Sequence, residues 1–212
     1  MAVFLIRHAE SVWNAAPKRF QGRADVPLSE NGRQQLANYA VLLPLISHVW
    51  VSPAQRCLAT LDALLRCFEG TPSIHVDKGL WEIDMGWFTG KTVEEVKAVD
   101  ERHYQSWMDH PEFSRPGEGE TVSELQVRVR EVVLPLIAVA AEQPDEHILV
   151  VTHGGPIRTL LCQSLDLSLA HFHRQEVGNL ATFEVGELRK DGGFTIQRLD
   201  KLIDETTVLE IL

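Results

Sequence analysis

Three short stretches of the 212-residue chain hold residue types suited to gripping an anion: Arg7-His8, Arg56, and His153-Gly154-Gly155. Guanidinium forks match phosphate oxygens two bonds at a time. Paired glycines let a backbone approach a ligand closely. Each stretch alone has a plainer reading. Arg-His can be a solvated strand end, and Arg56 a surface helix residue. Their convergence points to a phosphate pocket. The chain carries 20 Lys+Arg against 30 Asp+Glu, a net charge of −10. A small anion feels only the local field of its cleft, so the acidic balance does not exclude one. The same balance argues against nucleic acid or an anionic membrane as partner.

These residues converge only if the chain delivers them to one rim. Val3–Ile6, His48–Ser52 and His147–Thr152 are short apolar runs of the kind that form strands buried on both faces. Arg7-His8 ends the first, Arg56 lies in the first helical turn after the second, and His153 follows the third. Helical patterns lie between. Ser29 can N-cap a helix carrying Leu36, Ala40 and Leu43. Ser52 and Pro53 open another, with Leu58, Leu61, Leu65 and Phe68 on one face. Thr121-x-x-Glu124 is a capping box before a helix that keeps its period from Val122 to Ala140, with a kink expected at Pro135. Gly154-Gly155-Pro156 starts a helix through Leu161. Strands alternating with helices predict an α/β fold, a mainly parallel sheet with helices on both faces. In such sheets ligands bind beyond the carboxyl ends of the strands, and helix N-termini there favour anions.

Ala181–Val185 and Phe194–Leu199 read as an antiparallel edge hairpin turning at Asp191-Gly192-Gly193. Trp81–Gly119, rich in Gly, Pro, Trp and charge, reads as a lid of short helices over the sheet edge. Residues 1–212 are expected to form a single domain, with 81–119 as the lid insertion. Composition is ordinary for a globular protein, at 44% hydrophobic and 24% charged. The longest stretch lacking Asp, Glu, Lys and Arg, Gln34–Gln55, is too polar for a membrane span, and Ala2–Ile6 is too short for a signal peptide. Cys57, Cys67 and Cys162 form no C-x-x-C pair, so reduced thiols and a cytoplasmic location are expected.

Leu5-Ile6-Arg7-His8-Ala9-Glu10-Ser11-Val12-Trp13-Asn14 resembles the signature of the histidine phosphatase superfamily, the phosphoglycerate mutase-like family. Further segments follow in the family's order: Phe20–Ser29, Ser52–Cys57, Leu80–Gly86, Pro116–Thr121 and Val151–Gly155. The resemblance spans nearly the whole chain and implies a phosphoglycerate mutase-like fold. It also implies His8 as the nucleophile that forms a phosphohistidine and Glu82 as the acid on the leaving oxygen. Arg7, Arg56 and His153 would cradle the phosphoryl oxygens, with Asn14 assisting and Gly154 beside them. Gln21 and Gly22 would line the leaving-group side. Neighbouring arginines should favour the neutral His8, the form that attacks. Glu10, Ser11 and Trp13 are expected to support the loop. Ala9 replaces the family's usual Gly. Gly119 adds a residue to the family's Pro-Gly-Glu-Ser element, so Glu118 and Glu120 receive no role.

Several competing motifs fail. Gly86–Thr92 is one residue short of a P-loop and follows no strand. No cysteine has an arginine six residues on. His171 and His173 alone do not make a metal site, so neither metal nor cofactor is expected. Trp13, Trp81, Trp87 and Trp107 are expected in core packing. The family resemblance implies a metal-independent phosphatase acting on a small phosphorylated metabolite, similar to broad-specificity or α-ribazole phosphatases. Mutases of the family it resembles typically carry extra sequence between the acid motif and the second histidine, so the compact span from Glu82 to His153 favours a hydrolase over the alternative, a cofactor-dependent phosphoglycerate mutase. The intact set of site residues argues against a non-catalytic phospho-ligand-binding protein.

Overall fold

The computed structural model describes residues 2–39, 43–142, 146–186, 188–189 and 193–200. Strands β1 (Val3–Arg7), β2 (Ile46–Val51), β3 (Ser73–Val76), β4 (His147–Thr152), β5 (Thr182–Val185) and β6 (Ile196–Arg198) form one sheet in the order β3-β2-β4-β1-β5-β6. The β3, β2, β4 and β1 neighbours run parallel, while β5 and β6 are antiparallel additions.

Alternating side chains of the central strands face opposite sides, as a pleated strand requires. Val3 and Leu5 of β1, with Ile148 and Val150 of β4, join a core made with helices α4 (Val122–Glu142) and α5 (Gly154–Ser164). Phe4, Ile6, Leu149 and Val151 point the other way, toward α1 (Glu30–Ala37) and α2 (Gln55–Leu65). Both faces are apolar because both are covered, which is why β1 and β4 read as continuous apolar runs.

The α4 capping box forms as expected. Glu124 N–H donates to Thr121 Oγ1 at 3.1 Å, and Thr121 N–H to Glu124 Oε2 at 3.0 Å. Helix α4 runs on through Pro135, which does not divide it. Helix α1 ends at Ala37, shorter than its apolar period suggested. Leu43 lies outside it, and Ala40 lies outside the described residues. Helix α2 begins at Gln55 rather than at Pro53. Its first N–H is satisfied from another loop, Gln55 N–H donating to Asp25 Oδ1 at 2.8 Å. Its buried face is Cys57, Leu61 and Leu64, and Leu58 is exposed. The β5–β6 hairpin is present, with Asp191-Gly192 outside the described residues. Strand β3 carries no sequence signal because all four of its residues are exposed at the sheet edge.

The 81–119 segment is not made of short helices alone. After a 3-10 turn at Gly86–Phe88 comes α3 (Val93–Asp109), interrupted at Asp100, with a further turn at Pro116–Glu118. Thr92 N-caps α3 with Glu95 in a capping box, so Gly86–Thr92 is a turn and a cap rather than a phosphate loop. The two ends of the segment cross backbone to backbone. Glu120 N–H donates to Asp84 O at 2.9 Å. A Cβ on Gly86 would lie 1.7 Å from Gly117 O, and one on Gly119 2.1 Å from Asp84 O. Gly86 and Gly117 also hold positive φ, so only glycine fits the crossing.

Candidate active site

The parallel order sets the carboxyl ends of β1, β4 and β2 side by side, and the backbone keeps them in step beyond the strands. His8 N–H donates to Thr152 O and Ser52 N–H to Val151 O, both at 3.0 Å. His8, Arg56 and His153 thereby meet in the interior, at 2%, 0% and 0% exposure.

His8 Nδ1 lies 2.7 Å from Ala9 O. A carbonyl only accepts, so Nδ1 carries the proton and the Nε2 lone pair is left to react. Burial, then Arg7 and Arg56, hold His8 well below the usual histidine pKa, which keeps the ring neutral. The methyl group of Ala9 is fully buried in the core beside α2, and Ala9 N–H donates to Thr60 Oγ1 at 3.0 Å.

Arg56 is fixed at every nitrogen. Nη1 donates to Ala24 O at 2.7 Å, Nη2 to Gly22 O at 2.9 Å and Nε to His153 Nδ1 at 3.3 Å. Each Nη keeps a second hydrogen for a ligand. Because His153 Nδ1 accepts, its Nε2–H donates to Ser52 Oγ at 2.7 Å. Both ring nitrogens of His153 are therefore held by protein groups, and the ring packs edge-on against His8 with centroids 5.2 Å apart. Arg7 donates through Nη1 to Val177 O at 2.6 Å, while its Nε is buried with no partner. That orphaned donor is what a pocket built for an oxyanion leaves behind.

Glu82 reaches the same rim from the turn after Leu80. Its Oε1 accepts Ile83 N–H at 2.9 Å and Gly155 N–H at 3.1 Å, so the carboxylate sits at the N-terminus of α5. Gly155 must lack a side chain there, since a Cβ would lie 2.1 Å from Glu82 Oε1. Gly154 lies against Arg7, its added Cβ falling 3.6 Å from Arg7 Nε. Arg128 secures the backbone that carries Glu82, donating to Trp81 O at 2.7 Å and Glu82 O at 3.1 Å. Glu120, which the sequence left without a role, pairs with Arg128 at 2.7 Å.

Asn14 Oδ1 accepts from Ser11 N–H at 3.1 Å and from Asn179 Nδ2 at 3.2 Å. This fixes its amide so that Nδ2 faces away from those partners. Gln21 Oε1 accepts from Ser11 Oγ at 2.8 Å, and Gly22 contributes its carbonyl to Arg56 rather than an open surface. Ser11 thus supports the loop, as does Glu10, whose Oε1 accepts from Ser29 Oγ at 2.6 Å. Asn179 has no sequence signal. Its Nδ2 also donates to His8 O at 3.0 Å, bracing the turn that carries His8.

Trp107 is core and Trp87 packs on Phe88, whereas Trp81 lies parallel to the His153 ring at 6.3 Å. No cluster of three or more His, Cys, Asp or Glu among the described residues could hold a metal ion. No described helix is long and apolar enough to cross a membrane.

Residues 3–201 match the model of the histidine phosphatase superfamily, branch 1, and the chain belongs to that family. It is 31% identical over 163 residues to phosphoglycerate mutase-like protein 4 of Arabidopsis thaliana, covering 74% of this chain and 68% of that protein. It is 30% identical over 172 residues to phosphoserine phosphatase 1 of Hydrogenobacter thermophilus, covering 80% of this chain and 79% of that protein. The structure superposes on a mycobacterial glucosyl-3-phosphoglycerate phosphatase with a TM-score of 0.76 at 25% identity, covering 93% and 96% of the two chains. The mixed six-stranded sheet with its helices is the phosphoglycerate mutase-like fold, and these relatives include phosphatases.

Proposed function

We propose that the protein hydrolyses small phosphate monoesters through a phosphohistidine on His8, with residues 1–212 acting as one unit and 81–119 covering the site. The observation that carries this is the neutral His8 tautomer, with Nε2 reactive beside two guanidiniums. Nε2 attacks phosphorus and the ester P–O bond breaks. The leaving alkoxide takes a proton from Glu82. Water then attacks the phosphohistidine, returning a proton to Glu82 and releasing phosphate. Charge spreads over the three equatorial oxygens, so positioned donors supply most of the acceleration. Arg7 Nε, the second hydrogens of Arg56 Nη1 and Nη2, and Asn14 Nδ2 are those donors, and His153 keeps Arg56 in register. This chemistry needs neither metal nor cofactor. The three unpaired thiols suit a reducing, cytoplasmic setting.

His8→Ala should abolish hydrolysis of p-nitrophenyl phosphate in the presence of EDTA while leaving the thermal melt intact. Quenched wild type should carry acid-labile, base-stable phosphate on His8. Near-normal turnover by the variant would overturn the mechanism, and isomerisation of 3-phosphoglycerate outpacing phosphate release would move the reading to a mutase.

A further inference from the structure

One cation beside this site has no task in the chemistry above. Arg158 lies on α5 three residues beyond Gly155 and four beyond Gly154, which places it on the helix face those glycines present. Gly155 N–H holds Glu82, and Gly154 abuts Arg7. Arg158 is half-buried, and its Nε is fully buried without a partner. Among the described residues its guanidinium makes no hydrogen bond or ion pair. Its guanidinium carbon lies over the face of Phe172, 5.5 Å from the ring centroid. A buried donor without an acceptor costs stability until something arrives to fill it. Burial lowers the Arg158 pKa, Glu82 of the site is the foremost of the charges that raise it, ahead of Cys162 and Glu176, and Arg158 in turn lowers that of Arg7.

We infer that Arg158 is a second anion subsite, so that the substrate is a phosphate monoester whose leaving group carries a carboxylate. The phosphate belongs to Arg7 and Arg56, and the fork of Arg158 is free for a planar partner. Phe172 supports the guanidinium from one side by cation–π contact. This inference rests on the phosphatase reading and narrows it.

The test uses substrates that differ only in the carboxylate: 3-phosphoglycerate against glycerol 3-phosphate, and phosphoserine against phosphoethanolamine. Wild type should favour the acid of each pair by roughly tenfold or more in kcat/KM, mostly through KM. Arg158→Gln should bring that ratio toward one, and Arg158→Lys, which keeps the charge without the fork, should hold an intermediate ratio. The ratio is read rather than the absolute rate, so a general loss of activity does not imitate the result. Should Arg158→Gln fail to fold, the wild-type preference and the lysine variant decide. Turnover of p-nitrophenyl phosphate with no preference for the acids, or a preference that survives Arg158→Gln, overturns this inference alone. No turnover of any of these esters removes the phosphatase reading and this inference with it.

Discussion

Replacing Gly155 by alanine should damage catalysis without damaging the fold. The new Cβ would stand 2.1 Å from Glu82 Oε1 and 3.2 Å from its Cδ. Contact at van der Waals distance requires the carboxylate oxygen to retreat by at least about 1 Å. Glu82 is the flexible partner in that clash, so it moves and the helix stays. Gly155 lies at the start of α5 and has no positive φ, so alanine adds helix propensity of up to about 1 kcal/mol. The 3.3 Å approach to Leu125 Cδ2 trims that gain. A displacement of this size at a proton donor costs on the order of 10²-fold, the lower end of what general acid catalysis is worth. The assay compares glycerol 2-phosphate, whose alkoxide needs the proton, with p-nitrophenyl phosphate, whose leaving group needs little help. Gly155→Ala should lose about 10²-fold on the first and less than about tenfold on the second. Glu82→Gln should show the same contrast, and the melting temperature of Gly155→Ala should match or exceed that of wild type. Equal losses on both esters would mean that Glu82 positions the phosphate rather than protonating the leaving group. No loss on glycerol 2-phosphate would refute the geometry itself.

Asn179→Asp places an acceptor where the Nδ2 donor meets His8 O and Asn14 Oδ1, and should lower kcat/KM by about 10²-fold while costing about 1–3 kcal/mol of stability. Wild-type kinetics in that variant would show that the brace does not position the site. Burial pulls His173 down to about 4. An unfolded histidine titrates near 6.5, so between those values the unfolded chain binds a proton that the native state does not, and stability falls as the pH drops through that window. Urea unfolding from pH 7 to pH 4 should lose up to about 3 kcal/mol through this residue, and His173→Gln should flatten that slope. The same slope in wild type and variant would assign the acid sensitivity elsewhere, His8 and His153 being shifted in the same direction.

The central strands and the anion-binding rim were legible because both rest on short-range pattern. β1 and β4 are apolar on both faces, and Arg7-His8 and His153 sit directly at their ends. What escaped the sequence depends on partners far along the chain. Asp25 caps α2 from thirty residues away, which moved the helix start from the local Ser-Pro signal to Gln55. Asn179 acts on His8 across 171 residues and resembles any turn asparagine. Strand β3 is held by backbone pairing to β2 and by His75 stacking on Trp50, so its exposed side chains show no apolar run. Gly119 looked like an interruption of a motif, yet it is the residue that lets the chain pass Asp84 and deliver Glu120 to Arg128.

That crossing of glycines has a consequence for how such an enzyme can diversify. The chain between residues 87 and 116 leaves and rejoins the scaffold where these glycines cross, and Gly90 N–H donating to Phe20 O at 2.8 Å ties it down again nearby. Changing the length of a loop whose ends are already pinned costs little, about 0.6 kcal/mol for each doubling. The segment's exposed stretches are therefore a cassette, anchored by Phe88, Val96 and Trp107 in the core. Selection can exchange its contents to suit a new leaving group while the phosphate chemistry, wired to the far side of the crossing, is inherited unchanged.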